Sequence, residues 1–216
     1  ETKERAYEVY KRVDFINYWL YTFTATCLLC LVEPFVAIWL GQDFVLTKAI
    51  LILAVAIYYF KGINSGIDIA KNAAGLYYPD RFIPMAEAIA NMVISIVLAR
   101  LYGIAGVLFG TLVSFLALSF WAKPYFVCRD VFEVSFARYA VREGREIVVS
   151  VLVAAGTWYA VSLVSLENML LSFGVKALLA LVLSNGLLLL VYFKTSEFQY
   201  LRGLLENAAN RILRRK

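Results

Sequence analysis

Six blocks of mainly apolar residues decide what this chain can become: Phe15 to Leu40, Lys48 to Asn72, Pro84 to Leu101, Ile104 to Phe126, Ile147 to Leu166 and Met169 to Phe193. Each is long enough to cross roughly 30 Å of hydrocarbon as a helix, which takes about 20 residues. Backbone groups inside a bilayer must bond within their own segment, and these blocks lack the alternation of a barrel strand. The sequence therefore predicts an all-α, polytopic membrane bundle of about six transmembrane helices. Composition agrees: 62% of the 216 residues are hydrophobic and 17% charged, with a mean hydropathy of +0.73, whereas soluble domains carry about 25% charged residues.

Several chemistries drop out. The chain has no histidine, so it offers no imidazole for zinc, for a serine or cysteine triad, or for a histidine proton relay. Cys27 and Cys30 have redox-motif spacing, but they sit in an apolar run and read as small core residues; Cys128 stands in a polar connection. No phosphate loop, nucleotide fold or nucleic-acid module is present, so neither a cofactor nor a nucleic-acid partner is expected. The opening Glu1-Thr-Lys-Glu-Arg is neither a signal peptide nor a tag, and the chain reads as a fragment.

Positive charge orients the spans. Lys3, Arg5, Lys11 and Arg12 precede the first, Lys71 and Arg81 follow the second, and Lys123, Arg129, Arg138, Arg142 and Arg145 follow the fourth. The tail adds Lys194, Arg202, Arg211, Arg214, Arg215 and Lys216, while the opposite connections hold only Lys48 and Arg100. The positive-inside rule places both termini in the cytoplasm. Two cytoplasmic pieces are amphipathic: Phe132, Phe136 and Tyr139 in one, and Phe198, Leu201, Leu205, Ala208 and Ile212 in the other. Each fits the headgroup layer or a packed surface helix.

The second span is polar where it should not be. Lys61, Asn64, Ser65, Asp68 and Asn72 recur on one helix face. Lys61 falls near mid-membrane, and Asp68 about 10 Å nearer the cytoplasm. A charge at a helix centre costs about 2.5–3.5 kcal/mol against lipid, so this stripe must face water or partner groups. Glu87, Asn91 and Ser95 make a milder stripe on the third span; if the two helices pair across Pro79 and Asp80, both stripes line one cavity. The alternative is a buried strut in which Lys61 pairs with Asp68 or Glu87. Glu33 precedes Pro34, whose ring bends the first helix beside a carboxylate. Gly62 with Gly66, and Gly106 with Gly110, have the spacing of close helix contacts.

Several runs, in order, resemble the polysaccharide transporter (O-antigen flippase-like) family of the multidrug/oligosaccharidyl-lipid/polysaccharide exporter superfamily. They are Pro34-Phe-Val-Ala-Ile-Trp-Leu-Gly41, Asn72-Ala-Ala-Gly-Leu76, Asp80-Arg81 with Pro84, and Glu87-Ala88 with Asn91. Tyr102-Gly-Ile-Ala-Gly-Val-Leu-Phe-Gly-Thr111, Trp121 and Pro124-Tyr125 complete the match, which runs from about Tyr7 to Tyr139.

The resemblance implies most of the C-terminal lobe of a two-lobed flippase over 1–139, two trailing helices over 140–195 and a basic tail over 196–216, with an N-terminal lobe missing. It implies movement of an undecaprenyl-diphosphate-linked oligosaccharide across the bacterial cytoplasmic membrane, for surface polysaccharide assembly. The diphosphate needs cations such as Lys61, with Arg81 near the cytoplasmic entrance, and the sugars suit Asn64, Ser65, Asn91 and Ser95. Asp68, Glu87 and Glu33 are candidates to exchange a coupling proton or sodium. Alternatives are a cation-coupled drug or ion antiporter of the same superfamily, with a more apolar cavity, and an intramembrane polymerase or ligase. The enzyme is disfavoured because the outward connections are too short for a catalytic loop.

Overall fold

The computed structural model describes residues 3–76 and 81–203. The expected turn at Pro79 and Asp80 and the tail residues Leu205, Ala208, Arg211, Ile212, Arg214, Arg215 and Lys216 lie outside them. Long apolar runs produce long helices: α1 (Lys3–Trp39), α2 (Lys48–Ala73), α3 (Ile83–Tyr102), α4 (Ile104–Phe132), α5 (Phe136–Ser162) and α6 (Met169–Tyr192). These six are long and apolar enough to cross a membrane. Helix α4 is a continuous run with π turns at Phe115–Ser119 and Cys128–Phe132, and it passes through Pro124.

Helices α1 and α5 begin well before the apolar blocks that predict them. The extra turns are held by each other: Tyr7 and Tyr10 of α1 pack with Phe132 and Tyr139, and with Ile67, Val127 and Cys128, in one buried cluster. The apolar face of the amphipathic piece around Phe132, Phe136 and Tyr139 is therefore packed against the bundle. Cys128 is corrected likewise. It is fully buried at the second π turn, because α4 continues past Phe126 and no polar connection begins there. Cys30 packs with Val161 and Ala180 where α1, α5 and α6 meet, and all three cysteines are free.

The helices form a chain of neighbours. Helix α1 packs on α2, α5 and α6; α2 also packs on α4, and α4 on α3. Helix α3 lies at the edge, leaving Ile89, Met92, Val93, Ile96 and Val97 exposed, as a lipid-facing surface requires.

Glycine permits the closest approaches. Gly103, at φ 58°, joins α3 to α4 in a turn that side-chain-bearing residues rarely make. A Cβ on Gly106 would collide with the backbone carbonyl of Leu98, and one on Gly110 would lie 2.6 Å from Ser95 Oγ. Gly62 of α2 lies flat against the Tyr21 ring of α1. The paired glycines thus mark helix contacts, as their spacing indicates. Gly106→Ala should lower stability by about 1–3 kcal/mol, because rigid backbone must move. Gly174→Ala, which has open space around it, should be neutral or gain up to about 1 kcal/mol. Thermal unfolding of the detergent-solubilised protein reads both.

Candidate functional site

Helix α4 stands between α2 and α3, and residues four apart on it share a face. Thr111, Phe115, Ser119 and Lys123 form that ridge, and both polar stripes lean on it. From α3, Asn91 Nδ2 donates to Thr111 Oγ1 at 3.3 Å, Ser95 Oγ donates to Asn91 Oδ1 at 2.9 Å, and Glu87 accepts a hydrogen bond from the buried Ser119 hydroxyl. From α2, the Lys61 ammonium lies 5.7 Å from the centre of the Phe115 ring, and Asp68 receives Lys123 Nζ at 3.0 and 3.2 Å. The two stripes thus converge on a third helix.

Neither carboxylate is Lys61's partner. Asp68 is taken by Lys123 and Glu87 by Ser119, so the internal strut is built by residues other than Lys61. Lys61 is exposed and has no carboxylate within salt-bridge distance among the described residues. An aromatic face attracts an ammonium by about 0.5–2 kcal/mol but leaves its charge unneutralised. Asn64 is buried, and neither of its side-chain polar atoms has a partner among the described residues. Ser65 donates to the Gly62 carbonyl at 2.6 Å and accepts from Asn17 Nδ2 at 3.3 Å. Arg81 is exposed, with its guanidinium 4.5 Å from the Phe82 ring centre.

A second polar seam runs between α1 and α5, one that periodicity and charge counting did not bring out. Tyr139, Glu143, Glu146, Ser150 and Thr157 are all buried at spacings of three, four and seven along α5. At the seam's basic end Arg142 pairs with Asp14 of α1, and its Nε lies 3.8 Å from Glu146. Oxygens of Asp14, Glu143 and Glu146 lie within 4.8 Å of one another. One turn beyond Glu146, the Ser150 hydroxyl lies 2.7 Å from Thr22 Oγ1 and accepts from Tyr59 of α2 at 2.8 Å.

Those three hydroxyls line the inner end of a cleft of about 370 Å³, left between α2 and α5 where each packs on α1. Its walls are apolar, including Leu51, Val55 and Ala154, and Glu33 and Lys48 also line it. Glu33 is the one candidate residue from the sequence that borders this cleft. Lys48 holds its ammonium 5.9 Å from the Trp158 ring centre. The signal for this seam was present: the three-and-four spacing from Tyr139 continues without a break into Ile147 and Ser150. The concentration of charge before Ile147 gives it the look of a cytoplasmic connection.

The six apolar helices mark a multi-pass membrane protein. No known protein family, curated protein or solved structure matches the chain.

The Asp68–Lys123 pair is only partly exposed, so removing one partner leaves a charge stranded against the helix interface. Asp68→Ala and Lys123→Ala should each destabilise more than half as much as the double variant, with a coupling of about 0.5–3 kcal/mol. A double-mutant cycle on thermal unfolding measures it; additive effects would show that the pair does not hold α2 to α4.

Proposed function

We propose that this chain is part of a transporter that moves an undecaprenyl-diphosphate-linked oligosaccharide across the bacterial cytoplasmic membrane, the activity its resemblance to O-antigen flippases implies. The observation that carries this reading is Lys61: an exposed cation in the middle of a membrane-length helix, kept free while neighbouring carboxylates are occupied by other groups. Placing such a charge against lipid is costly, and a diphosphate passing beside it recovers that cost. Asn64, with both amide atoms unsatisfied, suits sugar hydroxyls. Ser65, Asn91 and Ser95 hold internal bonds that a sugar would have to replace. Arg81 would receive the diphosphate at the cytoplasmic end.

Coupling by Asp68 and Glu87 would act through α4. Each carboxylate is clamped to α4, so protonation or sodium binding would loosen α2 or α3 from it. A second lobe supplies the opposite wall for alternating access. The connections at the end away from the basic residues run only from Leu40 to Thr47, through Gly103, and over 163–168. Such short loops favour transport over polymerase or ligase chemistry.

One observation favours a second reading, the cation-coupled drug antiporter. The α1–α2–α5 cleft is apolar, carries Glu33, and falls within the roughly 300–1,000 Å³ range of small-molecule sites. Ala154→Trp would fill it. Loss of drug export with intact surface polysaccharide would favour the antiporter.

Lys61→Ala should abolish surface polysaccharide in a strain dependent on the full-length protein, and Lys61→Arg should retain a measurable part. Lys61→Cys, with the three native cysteines replaced, should react with a water-soluble maleimide. Undiminished polysaccharide in Lys61→Ala overturns the proposal, and an unreactive Cys at 61 shows that its surroundings are dry.

A further inference from the structure

We propose that Asp14, Glu143 and Glu146, completed by the Tyr10 hydroxyl, bind one hard metal cation of calcium or sodium size. Such a site belongs to the folded chain itself and stands whether or not the chain moves a lipid-linked sugar.

Charge is the first reason. Asp14, Glu143 and Glu146 are only 4%, 3% and 5% exposed, and Arg142 is the one cation within salt-bridge distance of any of them among the described residues. Fully ionised, the group carries two negative charges in excess. Buried charge of this kind is not tolerated unless something neutralises it. Arg142 is committed to Asp14, and its 3.8 Å separation from Glu146 is too long for a hydrogen bond. Glu143 has no cationic partner among the described residues, and its Oε2 is buried with no hydrogen bond.

Tyr10 supplies a separate reason. The residue is 6% exposed, and its hydroxyl is buried with no hydrogen-bond partner among the described residues. It stands one turn before Asp14 on α1, its ring centre 5.5 Å from the guanidinium of Arg142, the cation that Asp14 pairs with, and its ring edge and the Asp14 carboxylate both border Gly66 of α2. Buried hydroxyls without a partner are rare in folded proteins, and an ion held by the oxygen resolves the deficit. As an oxygen donor, Tyr10 would be the fourth ligand.

Size follows from geometry. Three oxygens no more than 4.8 Å apart have a centre within about 2.8 Å of each, which suits calcium-type distances of about 2.3–2.6 Å better than magnesium at about 2.0–2.1 Å. Across the interface, Gly66 of α2 leaves room for the site: a Cβ there would sit 2.8 Å from Asp14 Oδ1. A divalent ion balances the whole excess charge, whereas sodium leaves one proton on the carboxylates.

The test uses the full chain in detergent, stripped of metal with chelator, at neutral pH and with choline chloride holding ionic strength constant. Calcium chloride and sodium chloride are titrated separately while thermal unfolding is followed, and equilibrium dialysis against radioactive calcium or sodium counts bound ions. One of the two ions should raise the unfolding temperature saturably and bind once per chain. Glu143→Gln should weaken binding at least about tenfold, a loss of roughly 1.4 kcal/mol. Tyr10→Phe, which removes one oxygen and keeps the ring, should weaken it about threefold or more and carries the test if Glu143→Gln does not fold. Glu167→Gln, at an exposed carboxylate in the α5–α6 connection, should bind as the wild type does. Saturation by calcium or by sodium supports the site and says which ion it prefers. The proposal is overturned if neither ion binds, or if the folded Glu143→Gln or Tyr10→Phe variant binds with wild-type affinity.

Discussion

The buried contact of Asp14 with Arg142 is the constraint on which the basic half of the bundle depends. It joins α1 to α5 at a level where Gly66 lets α2 approach, and the aromatic cluster of Tyr7, Tyr10, Phe132 and Tyr139 closes around it. Such a pair is expensive to desolvate, and apolar packing of the same volume is often as stable or more so. Its value lies in register: oppositely charged groups tolerate little sliding, so the seam above them stays aligned from Glu146 to Ser150 and Thr22. The cleft beyond opens where that alignment is already set.

The spans were legible because apolar length is a one-dimensional signal. Helices α2, α3, α4 and α6 start where the sequence places them, and the glycine pairs lie at the contacts that their spacing marks. The early starts of α1 and α5 were not legible. Arg142, Glu143 and Glu146 look like residues of a cytoplasmic connection when counted as charge, and Arg142 even contributes to the count that orients the spans. Only the neighbouring α1 shows that this charge points inward.

The polar stripes of α2 and α3 show the same division between what periodicity carries and what it cannot. Spacing correctly placed Lys61, Asn64 and Asp68 on one side of a helix, but partners belong to the fold. Lys123 and Ser119, which decide whether Asp68 and Glu87 are free, come from another helix, and nothing in their spacing points to α2 or α3. What distinguishes Lys61 is therefore a relation: the carboxylates within reach of the stripe are already held by other groups.

The first π turn of α4 has a consequence of its own. A π turn houses one surplus residue, and one residue corresponds to about 100° of rotation along an α-helix. Everything from Phe120 to Phe132 is set at an azimuth that an uninterrupted helix would not give. Were Phe115–Ser119 to tighten by one residue, Lys123 would swing out of reach of Asp68 while Thr111 kept its place against Asn91. The upper half of α4, packed on both α3 and α2, is thus phased separately from the lower half, whose Lys123 holds Asp68 of α2.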